Sequence, residues 1–265
     1  MELTVAALFV PEIVIGEPER NRNALENTIR ACYKSNLNID VAVGPELSIC
    51  EYQLSEKPEQ EDIERVRKSA EKIPEGETSQ LLMKLSWEFE TYLVAGIPEI
   101  DENGVYYNSA ILTGPDGEYI GTYRQGREAW RFHSWATGYA SEEQRNIYEI
   151  KSKKHGIVIC AEITDRRIMS PTSELSEIIL VPTSWYKEGN IFEDQVEEVI
   201  ERHQKPLVIS NRGIGFYDGI NFRTYRESLA GQYKEGEPVK GRATIVSPRE
   251  AMVVKDSNII RKLEI

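Results

Sequence analysis

Strands and amphipathic helices alternate at both ends of this 265-residue chain, with β-rich hairpins between them. That order calls for a layered α/β fold, in which sheets bury their apolar faces beneath the connecting helices. Leu3–Val10 reads as a first strand and residues 21–33 as a first helix. Asp40–Val43 is a short buried strand, broken at once by Gly44-Pro45. Ile63, Val66, Ala70 and Ile73 recur at helical spacing, so a helix is expected over 61–73. Thr78 is placed to cap the next one, which carries Leu81, Leu82, Leu85 and Phe89. TYLVAGIP is a further strand, and VYYNSAILTGPDGEYIGTYR is a hairpin turned at P-D-G. Strands follow at 145–150, 156–160, 178–181 and 207–210, a helix over 191–203, and strands again toward the C-terminus.

A chain of this length suits one large domain or two small ones. It contains no internal repeat, low-complexity tract or Pro/Gly/Ser linker, so a single domain over 1–265 is expected. The formal net charge of −12, with no cluster of Lys or Arg, argues against a nucleic-acid partner. No apolar stretch approaches a membrane span, and MELTVAALFVPEIV lacks a basic leader, so it reads as a first strand. Cys32, Cys50 and Cys160 are odd in number and widely spaced, which suits reduced thiols in a cytoplasmic protein. His133, His155 and His203 are too scattered for a metal cluster, and neither metal nor cofactor is expected.

Two strands end in chemically conspicuous side chains. KKHGIVICAEITD runs from an apolar stretch into Cys160, and VAVGPELSICEY runs from a buried strand through Gly-Pro into Glu46. A free cysteine is often a small apolar filler, and most glutamates are solvated carboxylates. Ligands, however, bind at the carboxyl ends of strands in α/β sheets, and a thiol with a carboxylate base is a coherent nucleophilic pair. Spacing alone does not place the two together.

In their order along the chain these segments resemble the nitrilase, or carbon–nitrogen hydrolase, superfamily almost from end to end. VAALF with ERNRNALENTIRAC resembles the family's first strand and its Asn-bearing first helix. VAVGPELSICEY resembles the segment of the catalytic Glu, here Glu46, and HGIVICAE the nucleophile segment, here Cys160. GEYIGTYRQ resembles the strand that ends in Tyr-Arg-Lys, and ILVPTSW the strand after the nucleophile. VISNRGIG and GRATIVSP match later family patterns, with Arg242 in place of the usual Ser. The resemblance implies an α/β fold built as a four-layer α-β-β-α sandwich, and a homodimer joined through residues 166–176. It also implies a Cys–Glu–Lys triad acting on a small-molecule amide or nitrile. There the carboxylate takes the thiol proton, the thiolate attacks carbon, ammonia or an amine leaves, and activated water releases the acid. The lysine supplies positive charge near the developing oxyanion.

At that lysine the sequence departs from the family. Gln125 falls in the slot, and no lysine occurs between residues 117 and 150. HSWATG carries His133 where many members have an auxiliary Glu, with Glu128 close by. A glutamine amide donates a hydrogen bond but brings no charge to depress a thiol pKa. A contact from Gln125 to the Cys160 sulfur is expected, with Arg124, Arg127 or Arg131 as alternative sources of charge. Glu128, His133, Trp135 and Trp185 are the candidate substrate-binding residues. Trp130 and Trp135 fit either a core or a cleft wall. The long aromatic stretch YRQGREAWRFHSWATGYAS reads as an ordered functional loop. Three readings follow: a C–N hydrolase, a non-catalytic homologue binding a small molecule or partner, and a thiol that merely packs.

Overall fold

A computed structural model describes residues 2–10, 13–14, 16–35, 38–50, 60–126, 135–137, 146–184, 191–212, 243–247, 250–255 and 259–264. Two sheets lie face to face. The first has the order β13 (Ile259–Glu264), β1 (Glu2–Ala7), β3 (Val41–Val43), β4 (Tyr92–Ile100), β5 (Tyr106–Thr113) and β6 (Tyr119–Arg124). The second has the order β12 (Glu250–Lys255), β11 (Ala243–Ser247), β10 (Leu207–Arg212), β9 (Ile178–Pro182), β8 (Lys153–Ile157) and β7 (Ile147–Ile150). A two-residue strand, β2 (Phe9–Val10), joins the second sheet beside β10.

Side-chain alternation along the strands makes the layers. Val5, Ala7, Val43 and Leu112 of the first sheet share one buried cluster with Ile157, Leu180 and Val208 of the second. The intervening Ala6, Ala42, Leu93 and Ile111 bury against Leu25 and Ile29 of α1 (Pro18–Ser35) and Leu82 and Leu85 of α3 (Glu77–Phe89). On the opposite side Val158, Ile179, Val181 and Ile209 pack with Met169 of α4 (Arg166–Leu175) and Val196 and Val199 of α5 (Ile191–His203). Helix, sheet, sheet, helix is the expected four-layer order. Both faces of the central strands are covered, which is why VAV and IILV read as unbroken apolar runs.

Several local expectations are corrected. Leu3–Val10 is not one strand. Leu8 donates to Val43 of the first sheet, while its carbonyl accepts from Asn211 N and Ser210 Oγ of the second. The chain's first segment therefore straps the two sheets together. The helix expected over 61–73 is α2 (Gln60–Lys68) and stops earlier, because Glu71 bridges to Glu99 and Pro74 disfavours helical backbone before it. Thr78 does not cap α3. Gly76 holds that position, and Thr78 gives its N–H and hydroxyl to the Glu71 carboxylate. The pattern missed α4, which contains Pro171 and is capped by Asp165 accepting from Arg167 N. The strand expected to end on Cys160 ends at Ile157, and Cys160 opens a 3₁₀ turn, Cys160–Thr164.

Strand direction positions the site. β1, β3 and β4 are parallel, and two antiparallel steps through β5 bring β6 back to that direction. In the second sheet β8, β9 and β10 are mutually parallel. The carboxyl ends of β3, β6, β8, β9 and β10 meet at one end of the sandwich, where Glu46 N donates to Thr183 O at 3.1 Å.

Candidate active site

The turn after β3 is fastened to β4 through Gly96. Gly96 N donates to Pro45 O at 2.9 Å, and Ser48 returns two bonds to Gly96 O, from N at 2.8 Å and from Oγ at 2.6 Å. A Cβ on Gly96 would stand 2.6 Å from the Glu46 Cα, so the carboxylate-bearing turn needs glycine beneath it. The next residue, Leu47, has a left-handed φ of 47°. Buried Asn21 of α1 clasps the same turn from outside, its Nδ2 donating to Ile49 O at 3.1 Å and Val14 O at 2.8 Å.

The thiol turn is strained in the same manner, with φ of 49° at Cys160. A non-glycine residue holds such a conformation at a cost of about 1 kcal/mol or more and needs its surroundings to fix it. Glu162 does much of the fixing. Its buried carboxylate accepts from Ile159 N at 2.7 Å, from Tyr123 Oη at 2.9 Å and from Gly126 N at 2.7 Å. One carboxylate thus ties the thiol turn to the end of β6.

Where the turns meet, Cys160 and the fully buried Glu46 carboxylate lie close enough for each to shift the other's ionisation. The Ser184 backbone N–H favours the ionised form of both groups, and the Ala161 N–H favours that of the thiol. Asn108 Nδ2 donates to Glu46 Oε1 at 2.7 Å and reaches Gln125 Oε1 at 3.3 Å. Gln125 Nε2 in turn donates to Ile159 O at 3.1 Å. Burial pushes the Glu46 carboxyl up to about 7, against the opposing pull of Asn108, the thiol, Arg212 and Ser184. Burial, and then the Glu46 carboxylate, push the Cys160 thiol well above its ordinary range. The site can therefore hold a neutral thiol beside a carboxyl group that titrates near neutrality.

Of the residues singled out from the sequence, Glu46, Cys160 and Gln125 come together. Gln125 approaches the thiol turn through the Ile159 carbonyl and Asn108, rather than through the expected bond to the sulfur. Arg124 points elsewhere. It makes a bidentate pair with Glu99, with Nη2–Oε1 at 2.5 Å, and its guanidinium sits 3.9 Å from the Tyr107 ring centroid. Trp135 is fully buried in a cluster with Leu47, Cys50 and Val66, and so serves as a core anchor under the Glu46 turn. Arg127, Glu128, Trp130, Arg131, His133, Trp185 and Arg242 lie outside the described residues.

Sequence reasoning missed the contributions of Asn108, Glu162, Ser184 and Arg212. Asn108 left a trace as a lone amide within the apolar YYNSAILT. Glu162 stood in the quoted thiol segment, and Arg212 in the quoted SNRGIG, without a structural reason attached. Among the described residues, no group of His, Cys, Asp and Glu is arranged to hold a metal ion. No described helix is long and apolar enough to cross a membrane.

Residues 5–205 match the carbon–nitrogen hydrolase family model. The chain is 33% identical over 154 residues to a nitrilase of Pyrococcus abyssi, covering 57% of this chain and 52% of that protein. It is 22% identical over 183 residues to the protein N-terminal amidase of Saccharomyces cerevisiae, covering 59% of this chain and 38% of that protein. The chain thus matches about half or less of the length of these curated relatives. A solved Saccharomyces cerevisiae member of the nitrilase superfamily superposes with a TM-score of 0.76 at 17% identity, covering 99% of this chain and 89% of that one. A carbon–nitrogen hydrolase from Helicobacter pylori gives a TM-score of 0.70 at 17% identity, covering 100% and 90%. These structural likenesses show a common fold. With the family model matched over most of its length, this chain belongs to the carbon–nitrogen hydrolase family.

Proposed function

We propose that this chain is a thiol-dependent hydrolase of non-peptide C–N bonds, acting on a small amide or nitrile through a Cys160 thioester or thioimidate. The observation that carries this reading is the juxtaposition of the buried Glu46 carboxyl and the Cys160 thiol, each of which shifts the other's ionisation. For an amide, Glu46 takes the thiol proton as sulfur bonds to the carbonyl carbon, and the C–N bond breaks with that proton passing to the departing amine. Water then adds to the thioester, giving its proton to Glu46, and the C–S bond breaks to release the acid and the thiol. A carboxyl group titrating at about 7 is suited to both transfers at neutral pH. The Ala161 and Ser184 N–H groups beside the sulfur are candidate oxyanion donors. Gln125 takes the lysine slot in this reading. The names of the two relatives, a nitrilase and an N-terminal amidase, support C–N bonds as the target class.

A second reading, a catalytically degenerate homologue that binds a small molecule or a protein partner, is favoured by one observation. Two neutral amides, Asn108 and Gln125, stand beside the carboxylate where the family resemblance implies a cation. Incubating the protein with a panel of amides and nitriles and weighing the Cys160 peptide separates the two. An acyl adduct with release of acid, absent in Cys160→Ala, is expected for the hydrolase. Normal alkylation of Cys160 without any adduct favours the second reading. A homodimer joined through α4, whose Leu175 is 57% exposed, belongs to the same proposal. A light-scattering mass of one chain at micromolar concentration would count against it.

A further inference from the structure

Arg212, at the end of β10, lies outside the triad that the family resemblance implies, yet it binds two parts of the site. The residue is 2% exposed. Its Nε donates to Ser184 Oγ at 2.6 Å, and its Nη1 donates to Leu47 O at 2.9 Å and also to Cys50 O. Leu47 and Cys50 lie in the turn that follows directly on Glu46, and Ser184 is the residue whose backbone N–H favours the ionised form of both carboxylate and thiol. An arginine remains protonated in proteins, and its planar fork grips several oxygens at fixed angles. The geometry points to Arg212 as the positioning residue of this site: it fastens the left-handed turn at Leu47 to Ser184 and places a fixed positive charge between them.

The inference rests on the Glu46–Cys160 pairing of the proposed hydrolase, and extends it by naming a cation that acts on that pair. Among the described residues, the titratable or charged groups acting on the Glu46 carboxylate are the Cys160 thiol and the Arg212 guanidinium. Glu162 and Tyr123 stand behind Cys160, already bonded to each other. Among the described residues, the carboxylate is also met by the amide of Asn108, which in turn reaches Gln125, and by the Ser184 N–H. Arg124, an alternative source of charge in the sequence, is paired with Glu99. In a dry site a charge a few ångströms further off still acts on the carboxylate, because little water screens it.

Iodoacetamide alkylation of Cys160, followed by peptide mass spectrometry between about pH 5 and pH 9, reads this directly. It needs no substrate, so its failure is distinct from a failure to find amide or nitrile turnover. Circular dichroism establishes that each variant is folded. Arg212→Gln keeps a hydrogen-bonding amide without the charge, and its acidic limb is expected to move up by about one pH unit, roughly a tenfold loss of rate below the limb. Arg212→Lys keeps the charge without the fork, and is expected to hold the limb while its plateau falls about fivefold or more. A folded Arg212→Gln whose limb coincides with that of the parent overturns the assignment. If Arg212→Gln does not fold, Arg212→Lys decides alone. An unmoved limb with a lowered plateau upholds the assignment, and a parental plateau or an upward-moved limb overturns it.

Discussion

Asn108 Nδ2 donates to Glu46 Oε1 at 2.7 Å, on a strand that otherwise presents apolar side chains to the space between the sheets. The bond stabilises the ionised carboxylate and so opposes the upward push of burial. Asn108→Leu removes the donor and keeps the branched shape and the number of side-chain heavy atoms. Glu46 then holds its proton to higher pH, and Cys160 alkylation at pH 7 is expected to fall about tenfold, with recovery at higher pH. A profile superimposable on that of the parent would show that this amide does not tune the carboxylate.

Gln125 makes a prediction of opposite sign. Its amide nitrogen already reaches the Ile159 carbonyl, one residue from the thiol. A lysine ammonium at that position would bring positive charge toward both Glu46 and Cys160. Gln125→Lys should lower the pH at which Cys160 is alkylated, since a nearby cation favours both ionised forms. Arg124→Ala is the control. It leaves the buried Glu99 without its bidentate partner, so a stability loss on the order of 2 kcal/mol is expected. Its alkylation profile should not move. A moved profile for Arg124→Ala would mean that the Glu99 pair communicates with the site.

Gly96→Ala tests whether the carboxylate turn is held from below. The added methyl would stand 2.6 Å from the Glu46 Cα and 3.0 Å from Leu47 N, both backbone atoms that cannot swing aside. The turn must shift, at a cost of about 1–3 kcal/mol by analogy with overpacked cores. Cys160 reactivity should lose its dependence on Glu46, so that Gly96→Ala and Gly96→Ala/Glu46→Gln alkylate at equal rates. Unequal rates would place the turn elsewhere in its control.

These relationships show why the sequence disclosed some layers of the molecule and not others. VAV, IILV and the α5 helix were legible because burial on both faces, or on one helical stripe, leaves a periodic trace. The pairing of Glu46 with Cys160 was not legible from spacing, since it depends on two strands of different sheets ending at one level. Family resemblance supplied that expectation. Asn108 and Arg212 carry no periodic signal, because each is a single polar side chain whose meaning comes from what the opposite turn presents. α4 escaped for a simpler reason: Pro171 and a run of Ser and Thr look like a turn until Asp165 is seen capping the helix. Thr78 misled in the reverse direction, as a good capping residue drawn instead to the Glu71 carboxylate.

The buried carboxylate should also weigh against the stability of the fold. Glu46 is raised from an ordinary value of 4.5 to about 7, chiefly by burial, so the folded state binds this proton more tightly than the unfolded chain does. Below about pH 4.5 the group is protonated in both states and costs nothing. As pH rises from there the unfolded chain ionises first, and the penalty grows until Glu46 itself ionises near pH 7. Above that it is complete, on the order of 3 kcal/mol. Glu46→Gln keeps an oxygen for Asn108 and removes the charge. The variant should therefore melt several degrees above the parent at pH 8, with the gap closing as pH falls toward 5. Equal melting temperatures at pH 8 would mean that Asn108, Ser184 and Arg212 together solvate the carboxylate as well as water does. A gap of unchanged size at pH 5 would assign the stabilisation to packing instead of charge.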